Sequence, residues 1–364
     1  MSKSLGTIWP LEPHTAKKHA ILRRYFEAWL PILATTNGRV VYIDGFAGPG
    51  VYSGGEDGSP AIVLKAAASH KHKPATELCC VFVEADQKRH AHLESVLAVL
   101  KATIPTNIKF EAIHKTFDEE ISRRLDIIER KNQSLAPTLA FIDPFGFKHT
   151  PFKTIARLMQ QPKCEVLINF MYEEINRFLG LPDYAETFDE LFGCLHWRDA
   201  LNVSTPDDRV RAIHDVYLEQ LKTVGEYARS FQMINMGNRV DYFLYFLTNN
   251  PLGLQRMKES MWKVDPTGEF QFSDLTDASK QTLLAFAQAP DLDTLREMIV
   301  RKFSGLKVEI GDLEQWVVTD TPYLPKHLRK PILEPMEDDG GVSVITLKPN
   351  RRRHTYPPGT ILRF

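Results

Sequence analysis

Four acids stand at or just past the ends of short apolar runs: Asp44 in "RVVYIDGFAGPG", Glu84 in "VFVEAD", Asp118 in "KTFDEE" and Asp143 in "FIDPFGF". In an open α/β sheet, ligands bind outside the carboxyl ends of the strands, so runs of this kind would bring the four acids to one edge. Behind the first acid come Gly45, Gly48 and Gly50, residues that let a ligand approach the backbone closely. An acid after the second strand commonly receives ribose hydroxyls. Two plainer roles stay open: Asp44 as strand-to-loop turn chemistry, and Asp143 as a turn or capping acid before Pro144.

The loop reads Gly45-x-x-Gly48-x-Gly50, which matches neither the dinucleotide fingerprint GxGxxG nor the phosphate loop GxxxxGK[ST]. A row of carboxylates suits a cationic nucleoside better than a pyrophosphate. S-adenosylmethionine carries a sulfonium, an ammonium and a ribose diol, and is the expected cofactor. Glu84 follows Asp44 at about twice the usual separation of roughly 20 residues. Part of the excess is "VYSGGEDGS", in which Gly54, Gly55, Gly58, Glu56 and Asp57 read equally as a lid over the ligand or as a solvated turn. Ser59 as cap and Pro60 at the first position would start the next helix, far along the chain from the glycine loop.

Other reactive residues carry less. His14 and His19 are five apart and do not share a helix face, so no metal pair is expected of them. Glu173 and Glu174 follow an apolar run, but adjacent residues point apart, which disfavours a paired-carboxylate mechanism. Cys79 and Cys80 lie inside a strand pattern and read as packing.

The elements that must position the acids are legible from periodicity. "HTAKKHAILRRYFEAWLPIL" (14–33) puts Ile21, Leu22, Tyr25, Phe26, Trp29 and Leu30 on one face of a helix capped by Thr15. Five β-like runs follow, at 39–44, 78–85, 108–113, 138–143 and 164–170, separated by helical patterns. Strands apolar on both sides and alternating with helices imply a mainly parallel, doubly wound α/β sheet. Residues 171–240 read as a helical insertion, and "DYFLYFLTN" (241–249) as a late strand. From about 275, "SKQTLLAFA", "DLDTLREMIVRKF" and "IGDLEQWVV" read as three helices, and "VSVITLK" and "TYPPGTILRF" as a hairpin around "PNRRRH". Three helices and then a β-ribbon is the order of a winged helix-turn-helix. The expected division is 1–272, an α/β domain, and 273–364, a winged-helix-like domain that binds nucleic acid through Lys326, Arg329, Arg351, Arg352 and Arg353.

With 45 basic and 46 acidic residues among 364, charge nearly cancels, so any nucleic-acid footprint is local. The four cysteines form no CxxC pair or disulfide ladder, and "MSKSLGTIWPLEP" lacks the apolar core of a signal peptide. No apolar run reaches the roughly 20 residues of a membrane span. A reduced, soluble, cytoplasmic protein is expected.

"FAGPG" and "DPFGF" resemble the first and fourth motifs of S-adenosylmethionine-dependent nucleic-acid methyltransferases, an FxGxG loop and a [DN]-P-P-[YF] tetrapeptide; here the second proline is missing and the aromatic stands one place forward. Together with the 14–33 helix, "VVYIDGFAGPGVYSGGEDGSP", "FVEAD", "FIDPFGF" and "MWKVDPTG", most of the chain resembles the three-Cys-motif partner family, TcmP. That resemblance implies a bacterial, Rossmann-like methyltransferase domain that works with a separate three-Cys-motif protein, whose cysteines would suit an iron-sulfur cluster, in nucleic-acid modification or repair. By the same resemblance Asp44, Gly45, Phe46, Gly48 and Gly50 would surround the methionine end of the cofactor, Glu84 would bind ribose and Asp118 would sit near adenine. Asp143 and the Pro144 carbonyl would accept from a target amine, and Phe145 would stack on an extruded base. No metal is expected. Two other activities stay open: a non-catalytic nucleic-acid-binding subunit, or a nuclease using the strand-end acids with a divalent ion.

Overall fold

The computed structural model describes residues 6–70, 76–274, 290–345 and 351–364. Its frame is an eight-stranded sheet in the order β3-β2-β1-β4-β5-β7-β6-β8. β1 (Arg39–Asp44), β2 (Glu77–Val83), β3 (Ile108–Ile113), β4 (Thr138–Ile142) and β5 (Cys164–Phe170) are parallel, in keeping with the two-sided apolar sequences of β4 and β5, while β3 at the edge exposes Lys109 and Glu111. β7 (Val240–Thr248) runs antiparallel to β5, and β6 (Tyr227–Ile234) antiparallel to β7. β8 (Gln271–Ser273) closes the edge parallel to β6. The chain is thus a Rossmann-like doubly wound α/β fold, with the strand order reversing between β1 and β4.

Successive residues of each strand serve opposite faces. Val40, Tyr42, Leu78, Cys80, Phe82, Leu139 and Phe141 join one apolar cluster, while Ile43, Val81, Val83, Ala140 and Ile142 join the other. The first face is covered by α1 (Pro13–Ala34), α2 (Ser59–Ser69), α3 (Gln87–Leu100) and α9 (Pro251–Met261). The second is covered by α4 (Phe117–Arg130), α5 (Phe152–Met159), α6 (Tyr172–Phe178), α7 (Ala185–Phe192) and α8 (Pro206–Lys222). All six apolar residues expected on one face of α1 are buried. Thr15, expected as its cap, lies inside it, because Pro13 can occupy the first turn, where no backbone donor is needed, and Glu12 becomes the cap position.

The segment 171–240 is not wholly helical. Its last part forms β6, where Phe231 and Met233 alternate into the core. Five residues of loop between β6 and β7 were too short a break to separate a strand pair from the helical pattern before it.

Beyond residue 290, α10 (Leu292–Phe303), β9 (Lys307–Glu309) and α11 (Ile310–Asp320) are followed by a third helical stretch. That stretch comprises a 3-10 turn Pro325–His327, a π turn Arg329–Leu333 and α12 (Glu334–Asp338). β10 (Ser343–Ile345) and β11 (Ile361–Arg363) pair antiparallel, and β9 joins on the other side of β11. The expected helix "SKQTLLAFA" and the turn residues "PN" lie outside the described residues. This C-terminal unit shares an apolar cluster with the sheet, through Met257, Trp262, Leu313, Val317 and Leu328.

Candidate functional site

The loop after β1 crosses the carboxyl ends of its neighbours. Gly45 N–H donates to Phe141 O on β4 at 2.8 Å, and Ala47 N–H to Val83 O on β2 at 2.8 Å. Gly48 and Gly50 have φ of +61° and +85°, a conformation that favours glycine. "VYSGGEDG" then folds back on itself as a miniature hairpin: Val51 bridges Asp57, and Gly58 N–H donates to Gly50 O at 2.9 Å. A helix that starts far along the chain is therefore delivered against the glycine loop, and a Cβ on Gly58 would stand 2.9 Å from the Gly50 backbone. Ser59 does not cap α2; Gly58 holds that position, and the Ser59 hydroxyl stands beside Asp44 and favours its ionised form.

Asp44 is fully buried. Burial pushes its pKa up to about 7, with the negative charges of Asp143 and Glu84 adding to the rise and the Ser59 hydroxyl and Phe46 N–H opposing it. Its Oδ2 has no hydrogen-bond partner, and neither do the buried Tyr42 hydroxyl and Asn169 Oδ1. A buried, unpaired carboxylate oxygen is costly unless a ligand supplies a donor, and a cation supplies the best one. Glu84, buried at the end of β2, accepts from Gly48 N–H at 3.0 Å, Asp86 N–H at 2.8 Å and Arg89 Nε at 3.1 Å. It thereby fixes the glycine loop while facing the cavity.

Asp118 is not where the expectation put it. Its carboxylate accepts from Thr154 on α5 and from Ser122 at 3.3 Å, tying two helices together, and it does not line the cavity. Helical phase decides this: Thr116 caps α4 through a capping box with Glu119, which turns Phe117 toward the strand ends and Asp118 away. Phe117 stacks on Phe46 with centroids 5.9 Å apart.

Asp143, after β4, accepts on one oxygen from both Lys18 Nζ at 2.7 Å and Asn169 Nδ2 at 2.6 Å. Pro144 is buried. Phe145 is 48% exposed; Trp9 meets its ring edge-on at 4.8 Å, and the Arg89 guanidinium lies 5.4 Å from its centroid. The segment carrying Trp9 is anchored to the miniature hairpin by Ser53 N–H donating to Trp9 O at 2.9 Å. Lys18, Arg89 and Trp9 were not singled out from the sequence. Arg89, one turn into the helix after Glu84, had a local signal, whereas Lys18 and Trp9 meet their partners only through the fold.

Gly45, Phe46, Glu84, Phe117 and Phe145 line a cavity of about 440 Å³, whereas Asp44, Gly48, Gly50, Asp143 and Pro144 stand outside its lining. Glu174 reaches it beside Gly146, while Glu173 turns away to Asp241 and Arg177, so the two adjacent acids do separate. His14 hydrogen-bonds Asp274 at 2.7 Å, and burial beside Lys18 lowers the pKa of His19 to about 4. Among the described residues, no three His, Cys, Asp or Glu side chains converge as a metal site, and no helix is long and apolar enough to cross a membrane.

The basic residues of the C-terminal unit are only partly free. Arg351 pairs with Glu337, Arg353 with Asp338 at 2.6 Å and Arg329 with Glu314 at 2.6 Å. Lys326, Lys330 and Arg352 are exposed and have no ion pair among the described residues. Arg329, Lys330, Arg351 and Arg352 line one cleft of about 580 Å³ between the third helical stretch and the loop that leads into β11.

No family model and no curated protein matches the chain. Solved structures similar to it include protein LPL1258 from Legionella pneumophila, at 12% identity over 71% of this chain and 92% of that one, with a TM-score of 0.42. Human methyltransferase-like protein 13 in complex with SAH is similar at 12% identity over 70% and 91%, with a TM-score of 0.35. Spermidine synthase from Thermotoga maritima is similar at 12% identity over 73% of each chain, with a TM-score of 0.34. At such distances none of their activities transfers.

Proposed function

We propose that the protein binds S-adenosylmethionine at the carboxyl ends of β1, β2 and β4 and is a methyltransferase-like protein acting on nucleic acid. The observation that carries this reading is Asp44: a buried carboxylate with one oxygen unpartnered, beside a glycine loop and across from Glu84 at the next strand end. The cofactor's ammonium would answer that oxygen, and its ribose diol would compete with Arg89 for Glu84. The cofactor supplies an activated methyl group; the chain's part is to bind it and to orient a target amine. Calorimetry with S-adenosylhomocysteine tests this. Saturable binding is expected, weakened at least about tenfold, or roughly 1.4 kcal/mol, in Asp44→Asn and in Glu84→Ala. Unchanged binding in both variants would overturn it.

Asp143 favours a second reading. The oxygen that would accept from a target amine already takes two donors, Lys18 and Asn169. A non-catalytic nucleic-acid-binding subunit accounts for that arrangement without a target amine. Methyl transfer to DNA or RNA that is lost in Asp143→Ala would reject this second reading.

The C-terminal unit supports a winged-helix role by its element order: helix, short strand, helix, helical stretch, then two paired strands. A three-Cys-motif partner and a cytoplasmic setting complete the proposal; co-purification of the chain with such a partner tests the former.

A further inference from the structure

The cavity at the strand ends carries cations that the sequence reading left out. Around its aromatic wall of Phe46, Phe117 and Phe145 stand Arg89, Lys115 and Lys148. Lys148 Nζ lies 5.3 Å from the Tyr184 ring centroid and has no ion pair among the described residues, while Lys115 makes only a long pair, 3.7 Å, with Glu120. The cavity continues into a second cleft of about 450 Å³, which shares Ala85, Lys115 and Thr116 with it and adds His114 and the acid Glu119. Aromatic faces take up a base of any identity, and lysines that keep little of their charge neutralised suit a phosphate. Arg89 is held by Glu84 at 3.1 Å and Glu174 also faces the cavity, so its cationic side is the Lys115–Lys148 rim, which an uncharged nucleoside would leave unanswered.

We propose that this cavity is a seat for a phosphorylated nucleoside: the base enters among the aromatic side chains and the phosphate lies along the Lys115–Lys148 rim. The proposal rests on the reading of the protein as one that acts on nucleic acid, and it names the chemistry that the site recognises. The same chemistry comes from a nucleotide within a single strand or from a free nucleotide.

Calorimetry at low salt on the full chain tests this with AMP and CMP against adenosine and cytidine. The monophosphates are expected to bind at least about tenfold more tightly than their nucleosides, the worth of one charge-assisted hydrogen bond. In the Lys115→Ala, Lys148→Ala double variant the preference falls to about unity; because Glu84 lines the same cavity, S-adenosylhomocysteine competes with AMP for it, and an unchanged thermal unfolding midpoint confirms that the variant is folded. Equal affinity for nucleoside and monophosphate, or a preference that survives the double substitution, overturns the proposal. A trinucleotide that binds more tightly than AMP assigns the phosphate to a strand; equal binding assigns it to a free nucleotide. The cofactor reading fails separately: wild-type protein that ignores S-adenosylhomocysteine yet prefers AMP to adenosine loses the former and keeps the latter.

Discussion

Asp44 shows what a buried carboxylate costs the folded chain. Its pKa is raised from the usual carboxylate range to about 7, so the folded state holds its proton where the unfolded state has released it. Stability from this group is therefore full below about pH 4 and is lost as pH rises toward 7, by roughly 2–3 kcal/mol between pH 5 and 8. Asp44→Asn is expected to remove that dependence and to leave the ligand-free protein more stable at pH 8, which denaturant titrations at the two pH values would read. Cofactor affinity has the opposite sign. An ammonium needs the ionised form, so S-adenosylhomocysteine binding should strengthen as pH rises through 7 in the wild type and stay flat in Asp44→Asn. At this scale the sequence was informative where a residue ends a strand. Asp44 and Glu84 stand at strand ends by alternation alone, whereas Asp118 lies one step into a helix, where a single residue of phase sends the side chain to the other side.

The elements were legible where period and length agreed. Three of the first five strands start and end as expected, but β6 was hidden behind three helices, and the 51–58 segment gave no hint that it would bring α2 back to the loop it had left. That return depends on the absence of a side chain at Gly58. Gly58→Ala would force α2 and the Gly50 backbone apart, with an expected loss of about 1–3 kcal/mol and weaker cofactor binding, since the glycine loop would lose its bond from Gly58 N–H to Gly50 O. Denaturant unfolding and calorimetry would each register it. Unchanged values in both would mean that the hairpin does not fix the loop. A second joint is equally invisible in one sequence. Buried Lys258 on α9 donates to Val317 O, Val318 O and Thr321 O at 2.8–3.1 Å, and Arg229 on β6 donates to Thr319 O and Thr321 O, so two basic side chains from the sheet side, the Lys258 amine with its pKa lowered to about 6 by burial, cap the C-terminus of α11. Lys258→Met keeps the packing and strands these carbonyls; a loss of about 1–3 kcal/mol is expected in chemical denaturation.

For the whole molecule, near-zero net charge leaves nucleic-acid affinity to local clusters, and the fold sorts the basic residues of the C-terminal unit into two groups. Arg351 pairs with Glu337 and donates to Thr355 O at 2.8 Å, so it holds the loop before β11 against α12. Arg353 and His354 share Asp338 in the same way. Paired side chains contribute little counter-ion release, because the phosphate would have to displace a carboxylate already in place. Lys326, Lys330 and Arg352 have no such competitor among the described residues and are the expected phosphate contacts. Each phosphate contact contributes about 0.9 to the slope of log K against log salt on duplex DNA, so replacing all three by Ala should flatten that slope by about 2–3 units. Arg351→Ala should act differently: an almost unchanged slope, with local loosening around β11 visible as faster amide exchange. A triple variant that binds DNA and RNA with the wild-type salt dependence would place the nucleic-acid contact outside the C-terminal unit, leaving the strand-end cavity with its lysine rim as the surface to test next.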